Sequence, residues 1–196
     1  MTEFVLATNN AHKVLEMRAI LENGRRKVLS MKEAGFHTDP VEDGNSFEEN
    51  ALIKARAACA ASGRPALADD SGICAVALNH APGIHSARYC EGSDLDRLYF
   101  LLKNMEQVPE GQRQAYYVSA IACVFPDGRE IVVRGECHGE LTFAPDGEGG
   151  FGYDPIFFVP EEGATFGHIP AERKNQISHR ARALEKLLEE LNRIGE

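Results

Sequence analysis

The start of the chain alternates between a short apolar run, a polar turn and a helical pattern. Residues 4–7 form an apolar run that predicts a buried strand, and the polar residues 8–10 predict a turn after it. From Ala11 to Asn23 apolar positions recur with helical spacing, which predicts a helix that ends at Gly24. A strand, a polar turn and a helix in this order are typical of an α/β domain.

A longer helix and a second strand are predicted next. Ser46 with Glu49 three residues later has the pattern of a capping box, and the Ala-rich segment behind it predicts a helix to about Ser62. Residues 65–68 then predict a strand that stops at the turn-like sequence Asp69-Asp70-Ser71-Gly72.

The second half of the chain combines a hairpin with further helices. Ser93 with Asp94 predicts the start of a helix that reaches Met105. Two apolar stretches joined by Pro126-Asp127-Gly128 predict a long β-hairpin. The other predicted elements are a glycine-rich loop at 146–152, a strand at 155–159 and a last helix from Ser178. These patterns predict the α/β class, with a mixed β-sheet, flanking helices and a single domain spanning residues 1–196.

Composition and charge disfavour several classes of protein. The chain has 196 residues, with 30 acidic side chains against 21 Lys and Arg, and its net charge of −9 argues against a non-specific DNA or RNA binder. Its five Cys form no Cys-x-x-Cys pair. No apolar stretch approaches the ~18 residues of a membrane helix, and a signal-peptide pattern is missing. We therefore expect a cytoplasmic protein with reduced thiols and no nucleic-acid or membrane partner.

The glycine-rich segment 147–152 matches the spacing Gly-x-Gly-x-x-Gly of dinucleotide-binding loops. Such a loop follows a strand and opens a helix, whereas strand-like residues from Tyr153 to Phe158 come next here. A Rossmann site is therefore disfavoured, and the P-loop motif is also missing.

Two segments carry residue types that suit phosphate and metal. At the first predicted helix, free backbone N–H groups and Lys13 could bind phosphate oxygens, but this segment alone favours an Asn N-cap with a solvated lysine. Asp69 and Asp70 at a strand end could hold Mg²⁺ and take a proton from water, or could form an Asp turn, and both interpretations stay open. The acidic stretch around Glu42 could complete the metal site or form a solvated loop.

A basic cluster lies near the C-terminus of this acidic chain. Its members are Arg173, Lys174, His179, Arg180, Arg182 and Lys186. Cations in the first turn of a helix oppose the helix dipole, so His179 and Arg180 after the predicted cap Ser178 suggest a function, with a solvated helix face as the alternative. Phe151 and Tyr153 beside the glycine-rich loop could stack on a base or belong to the core.

Several short motifs occur in a fixed order along the chain. They are Leu6-Ala7-Thr8-Asn9-Asn10 with Lys13 and Glu16, Ser46-Phe47-x-Glu49-Asn50-Ala51 with Lys54-Ala55, Ala68-Asp69-Asp70-Ser71-Gly72, Ala81-Pro82-Gly83 with Ser86-Ala87-Arg88-Tyr89, Gly149-Gly150-Phe151-Gly152-Tyr153-Asp154-Pro155 and Ser178-His179-Arg180. In this order the chain resembles the inosine/xanthosine triphosphate pyrophosphatase family, also called dITP/XTP pyrophosphatases or ITPases, over roughly residues 3–191.

The resemblance implies both a fold and a reaction. The fold would be ITPase-like, one α/β domain of two lobes around a nucleotide cleft. The reaction would be hydrolysis of ITP, dITP or XTP at the α–β phosphoanhydride to the monophosphate and pyrophosphate, which removes deaminated purines from the nucleotide pool. Mg²⁺ is the implied cofactor, and a homodimer is the implied assembly.

The resemblance also implies roles for the matching residues. Asp70 would accept the proton of the attacking water and would hold the metal with Glu42, while Asp69 would assist directly or through a metal-bound water. Triphosphate binding is implied for Thr8, Asn9, Asn10, Ala11, His12, Lys13 and Lys54, and a substrate contact for Ser71. Recognition of the base is implied for Phe151, Gly152, Tyr153, Asp154, Lys174, His179 and Arg180. Arg and Lys are pure donors, which suits the carbonyl that hypoxanthine and xanthine carry at C6.

Other functions compete with this one. A house-cleaning pyrophosphatase for modified pyrimidine nucleotides is disfavoured by the motifs between residues 149 and 180. A non-catalytic nucleotide sensor would have no need of a carboxylate that activates water, such as Asp70. A nucleic-acid-binding module is disfavoured by the charge of −9.

Overall fold

The computed structural model describes residues 1–196, in which strands and helices alternate. The strands are β1 (Thr2–Leu6), β2 (Arg26–Ser30), β3 (Ala66–Ala75), β4 (Gln114–Val124), β5 (Glu130–Leu141), β6 (Phe157–Val159) and β7 (Ala164–Thr165). The helices are α1 (Ala11–Leu21), α2 (Phe47–Ser62), α3 (Asp94–Asn104), α4 (Ala171–Ile177) and α5 (His179–Arg193), with 3₁₀ turns at Val76–Leu78, Gly83–Arg88 and Asp154–Ile156. None of the helices is both long and apolar enough to span a membrane.

The strands form one mixed sheet in the order β2-β1-β3-β4-β5-β6-β7. β1 pairs in parallel with β2, from Thr2 opposite Arg26 to Leu6 opposite Ser30, and in parallel with β3 up to Leu6 opposite Leu67. β6 pairs antiparallel with both β5 and β7. The predicted α/β class with a mixed sheet and flanking helices is therefore confirmed.

The chain divides into two compact units, each with its own apolar core. The first unit comprises residues 1–70, 119–135 and 180–196. Its core holds one face of α1, one face of α5 and side chains from the strands, including Phe4, Met17, Leu67, Ile121 and Leu184. The second unit comprises residues 71–118 and 136–179, and its core includes Leu98, Leu101, Tyr117, Phe157 and Phe166.

Local signals in the sequence set the ends of α2 and α3. The Ser46 hydroxyl accepts a hydrogen bond from the Glu49 amide at 3.1 Å, which begins α2, and Gly63 ends it in the left-handed conformation with φ +64°. Ser93 caps α3 with a complete capping box that uses Asp96. In α2 the box stays half formed, because the Glu49 carboxylate accepts from the Asn45 amide at 2.6 Å instead.

The predicted end of the second strand is wrong. β3 does not stop at Ala68 but continues through Asp69 and Asp70 to Ala75. Adjacent acids suggest a turn because a carboxylate is costly to bury, yet the Asp69 carboxylate finds buried donors on other elements and so stays in the strand. The alternative of an Asp turn is therefore excluded.

Two smaller predictions also need correction, and one helix is not predicted at all. α1 ends at Leu21 rather than at Gly24, because the Asn23 side chain accepts from the amides of Arg25 and Arg26 and turns the chain. The strand expected at 155–159 begins only at Phe157, after a 3₁₀ turn. The short helix α4 was not predicted, since seven residues without an apolar face give no periodic signal.

Candidate active site

The first group of candidate residues lies in the first unit, beyond the point where β1 ends. β1 and β3 are paired only up to Leu6 and Leu67, so Asp69 and Asp70 extend past the carboxyl end of β1. Open α/β sheets place ligands at this edge. The loop that leaves β1 leads into the first turn of α1, which carries Lys13.

The N-terminus of α1 is organised by its cap. The side-chain oxygen Oδ1 of Asn10 accepts from the backbone amides of His12 at 3.0 Å and Lys13 at 3.2 Å. The Thr8 hydroxyl accepts from the backbone amide of Asn10 at 3.1 Å. The Asn N-cap is therefore confirmed. The solvated lysine that went with it is wrong, because the Lys13 ammonium lies 2.6 Å from Asp69 and its side chain is mostly buried.

Asp69 is fully buried and is surrounded by donors. Its carboxylate accepts from Lys13, from the Ser119 hydroxyl and, at 3.3 Å, from Arg180. Burial alone would raise its pKa, but the charges of Arg180 and Lys13 hold the pKa of Asp69 well below its usual range. Burial likewise lowers the pKa of Lys13, and Asp69 opposes that shift. In this geometry the Asp69 carboxylate holds the Lys13 ammonium in place.

Arg180 completes this buried network. It lies in the first turn of α5, and its guanidinium pairs with Glu16 of α1 as well as with Asp69. Burial would lower the pKa of Arg180, but the two carboxylates raise it above its ordinary value. They also offset the unfavourable position of a cation at a helix N-terminus. The structure thus places Arg180 in the first unit, with Glu16 and Asp69.

Lys54 of α2 joins the two carboxylates that the sequence nominated for a metal. Its ammonium donates to Asp70 at 2.7 Å, to Glu42 at 3.1 Å and to the backbone oxygen of Asp69 at 3.1 Å. Although burial lowers it, the pKa of Lys54 is raised because Asp70 and Glu42 lie close. Burial raises the pKa of Asp70, and Lys54 only partly opposes this. The second carboxylate oxygen of Asp70 is buried and has no hydrogen-bond partner.

The second group of candidate residues lies in the second unit, around Asp154. The Lys174 ammonium, on α4, is buried and lies 2.6 Å from the Asp154 carboxylate. The same carboxylate accepts from the Phe151 amide at 2.9 Å and from the Tyr117 hydroxyl at 3.3 Å. A side chain at position 150 would collide with it, because a Cβ there would lie 2.2 Å from Asp154. Gly150, with φ +73°, therefore keeps the loop close to Asp154.

The rings of Phe151 and Phe166 lie near the Lys174 ammonium. Phe151 is half-buried, with its ring centroid 4.6 Å from the ammonium. Tyr153 instead belongs to the core of the second unit, where its hydroxyl donates to the Ser86 carbonyl at 2.7 Å. His179 is buried and stacks on Tyr117, with ring centroids 4.5 Å apart and planes at 8°.

The other nominated positions are simpler to place. Asn9, Ala11 and His12 are exposed around the start of α1, and Ser71 is half-buried on β3 directly after Asp70. Gly152 adopts φ +61° in the turn after Phe151.

Comparison with known proteins identifies the family. A model of the Ham1 family matches residues 4–190. The chain belongs to the Ham1 family. It is 52% identical to a dITP/XTP pyrophosphatase of Symbiobacterium thermophilum over 95% of this chain and 93% of that protein, and 44% identical to one of Geobacillus kaustophilus over 99% and 96%.

Solved Ham1 structures share the fold. A HAM1 protein from Coxiella burnetii superposes with a TM-score of 0.89 at 39% identity, covering 98% of this chain and all of the other (100%). The Ham1 protein of Staphylococcus aureus gives 0.87 at 38% identity, covering 97% and 98%. The family predicted from the sequence motifs is thus confirmed.

A divalent metal is generally expected in nucleotide pyrophosphatases, and Asp70 and Glu42 are the candidates to hold one here. The described side chains contain no group of three or more His, Cys, Asp or Glu that could hold a metal. Mg²⁺, however, is often bound by one or two carboxylates together with substrate phosphates. Asp70 and Glu42 both contact the Lys54 ammonium, and Asp70 keeps a buried oxygen without a partner. This donor set fits such an ion.

Reasoning from sequence misses three contributors to these clusters, namely Glu16, Ser119 and Tyr117. Glu16 is part of a sequence motif, but the motif gives it no role. Its spacing of three residues from Lys13 places both side chains on one face of α1. Tyr117 gave no signal, because an aromatic residue inside an apolar strand looks like core. Only the fold shows that it joins Asp154 to His179.

Proposed function

We propose that this Ham1-family chain hydrolyses non-standard purine nucleoside triphosphates, namely ITP, dITP and XTP. The products are the monophosphate and pyrophosphate, and the reaction removes deaminated purines from the nucleotide pool. The observation that carries the proposal is the pairing of two mostly buried lysines with adjacent aspartates, Lys13 with Asp69 and Lys54 with Asp70. The names of the relatives, dITP/XTP pyrophosphatases, support the choice of substrate.

The two lysines and Asp70 divide the chemistry between them. Lys13 and Lys54 bind the phosphates and stabilise the charge of the departing pyrophosphate. The amides at the start of α1 add neutral donors. Asp70 orients the water that attacks the α-phosphorus in line and accepts its proton at the carboxylate oxygen that has no hydrogen-bond partner.

Asp70 and Glu42 would hold Mg²⁺. When bound, the ion would offset the negative charge that builds on the phosphate oxygens. No covalent intermediate is required, and the buried thiol Cys123 has its pKa raised far above neutrality, mainly by burial, which suits a structural role.

The cluster around Asp154 recognises the base. Lys174 is a donor, so it suits the C6 carbonyl of hypoxanthine and xanthine and finds no acceptor in the amino group of adenine. Asp154 holds both Lys174 and the backbone of Phe151 in place, and the half-buried Phe151 ring provides a stacking surface. Discrimination of this kind is strong when a buried polar group loses its partner.

Lys174→Met is expected to narrow the preference for ITP over ATP by about tenfold or more, because a charged hydrogen bond contributes about 1.5–3 kcal/mol. The measurement is kcat/KM on both nucleotides. Lys103→Met serves as the control, since Lys103 is an exposed lysine of α3. An unchanged ITP/ATP ratio in the Lys174 variant would remove Lys174 from base recognition.

Product analysis in H₂¹⁸O tests the proposed function. Purified protein with Mg²⁺ is given ITP, XTP, ATP, GTP and dTTP in parallel. We expect ITP and XTP to yield monophosphate and pyrophosphate, with the ¹⁸O in the monophosphate because water attacks the α-phosphorus. Preferred cleavage of dTTP would indicate a pyrimidine pyrophosphatase instead. Tight binding without turnover would indicate a nucleotide sensor.

The homodimer, the cytoplasmic location and the lack of a nucleic-acid partner also belong to this proposal. They rest on the family resemblance and on the net charge of −9. Sedimentation velocity at micromolar concentration tests the assembly, and a single species at the monomer mass of 21.5 kDa would contradict the dimer.

A further inference from the structure

The Lys54 ammonium fills the space between the two carboxylates proposed to hold the metal. A lysine has three N–H donors, and those of Lys54 point to three oxygens at 2.7–3.1 Å, on Asp70, Glu42 and the backbone of Asp69. Its side chain is only 14% exposed, and Asp70 is 12% exposed. The lysine is thus fully coordinated by the protein and sits as a bound cation would.

This position conflicts with the role that Lys54 has in the proposed function. An ammonium whose three donors are in use cannot also bind a phosphate oxygen until at least one of them is released. A divalent cation likewise cannot take the Asp70 and Glu42 oxygens while Lys54 holds them, because two cations would share the same ligands.

Two other cations of the first unit lie on different carboxylates. The Lys13 ammonium lies on Asp69, and the guanidinium of Arg180 lies between Asp69 and Glu16. Asp70 and Glu42, by contrast, are both in contact with Lys54. Without a positive charge between them, two partly buried carboxylates would repel each other.

We infer that Lys54 is a placeholder cation that keeps Asp70 and Glu42 together before ligands bind. When a divalent metal binds these two carboxylates, the Lys54 ammonium leaves them and binds the triphosphate instead. This inference rests on the proposed function for the identity of the ligands. It predicts that metal and triphosphate bind cooperatively, since each favours the arrangement in which Lys54 has left the carboxylates. It also predicts that Lys54 competes with the metal when no nucleotide is present.

Metal binding without nucleotide tests the inference. The affinity of the purified protein for Mn²⁺, used as a paramagnetic stand-in for Mg²⁺, is measured by electron paramagnetic resonance in the wild type and in Lys54→Met. If Lys54 occupies the pair about nine-tenths of the time, its removal is expected to tighten Mn²⁺ binding about tenfold. Arg56→Met is the matched control, because it removes a positive charge two residues away on α2 from an exposed pair with Glu130.

Thermal unfolding gives a second readout and shows whether the variant folds. Metal-free Lys54→Met is expected to melt below the wild type, and saturating Mn²⁺ is expected to raise its Tm by more than that of the wild type or of Arg56→Met. Mn²⁺ binding by Lys54→Met that is equal to or weaker than that of the wild type would overturn the inference. So would equal tightening in Arg56→Met, because the effect would then come from net charge alone.

Failure of this inference and failure of the proposed function are distinguishable. If the wild type converts ITP to monophosphate and pyrophosphate but Lys54→Met binds Mn²⁺ no better, the function stands and the placeholder role falls. If Lys54→Met binds Mn²⁺ more tightly and the wild type turns over none of the nucleotides, the placeholder role stands and the proposed function falls.

Discussion

Asp70→Asn is expected to lower kcat/KM for ITP by about 10³-fold or more while the protein stays folded. The substitution removes the proton acceptor and one of the two charges proposed to hold the metal, and each of these effects alone is large. It changes almost no volume, and Lys54 keeps its other two acceptors, Glu42 and the Asp69 backbone. Steady-state kinetics on ITP with Mg²⁺ checks the activity.

The stability of Asp70→Asn depends on what the charge of Asp70 costs and gains in the fold. Burial raises the pKa of Asp70, so the ionised carboxylate costs free energy in the metal-free fold at neutral pH. Asp70 also raises the pKa of Lys54, so its charge stabilises that ammonium in the fold, and Lys54 keeps Glu42 as a partner. The Tm of the Asn variant is therefore expected to stay close to that of the wild type. Asp39→Asn, in the exposed part of the same acidic segment, is the control and keeps wild-type activity. Near-normal turnover by Asp70→Asn would refute the role of Asp70.

Asp69→Asn, unlike Asp70→Asn, is expected to lose much of the stability of the fold. The Asp69 carboxylate is fully buried and balances the buried charges of Lys13 and Arg180. Removing one member of such a network leaves uncompensated buried charge, which costs about 3–5 kcal/mol. The measurement is the free energy of unfolding in urea at pH 7, compared with that of Asp70→Asn. Equal stabilities of the two variants would contradict the assignment of Asp69 as a positioning residue.

The pKa shift of Asp69 predicts how its contribution to the free energy of unfolding depends on pH. Because the pKa of Asp69 in the fold lies well below its ordinary value of 3.8, its contribution to stability is fully present above that pH. It is lost as the pH falls through the folded pKa. The difference in stability between the wild type and Asp69→Asn is therefore expected to be constant near neutrality and to narrow only in strong acid. Urea unfolding at several acidic pH values measures it.

Elements with local signals were predictable from the sequence. α2 and α3 begin at serine caps that lie within three residues of the groups they bind. The turn sequence between β4 and β5 predicts their hairpin. α4 is too short for a periodic pattern, and the end of α1 depends on the conformation of the Asn23 side chain. Propensity and periodicity report only such near neighbours in the chain.

The candidate site was predictable in its residue types but not in its partnerships. The basic residues and adjacent aspartates stand out from the sequence. The partners that keep Asp69 in a strand, however, are Ser119, Lys13 and Arg180, which lie 50, 56 and 111 residues away along the chain. For the same reason, the role of Arg180 beside Glu16 could not be read from a motif. Long-range ion pairs of this kind become visible only when the fold brings the elements together.

The continuation of β3 through both aspartates limits how the length of this segment can vary. Successive residues of an extended strand point to opposite sides, so Asp69 and Asp70 serve different neighbours although they are chemically identical. Inserting or deleting one residue between Leu67 and Asp69 would turn each carboxylate toward the neighbours of the other. Lys13 would lose its partner, and Lys54 would face a different group. Differences in length among relatives are therefore expected in the long connection between β2 and α2, and not in this part of β3.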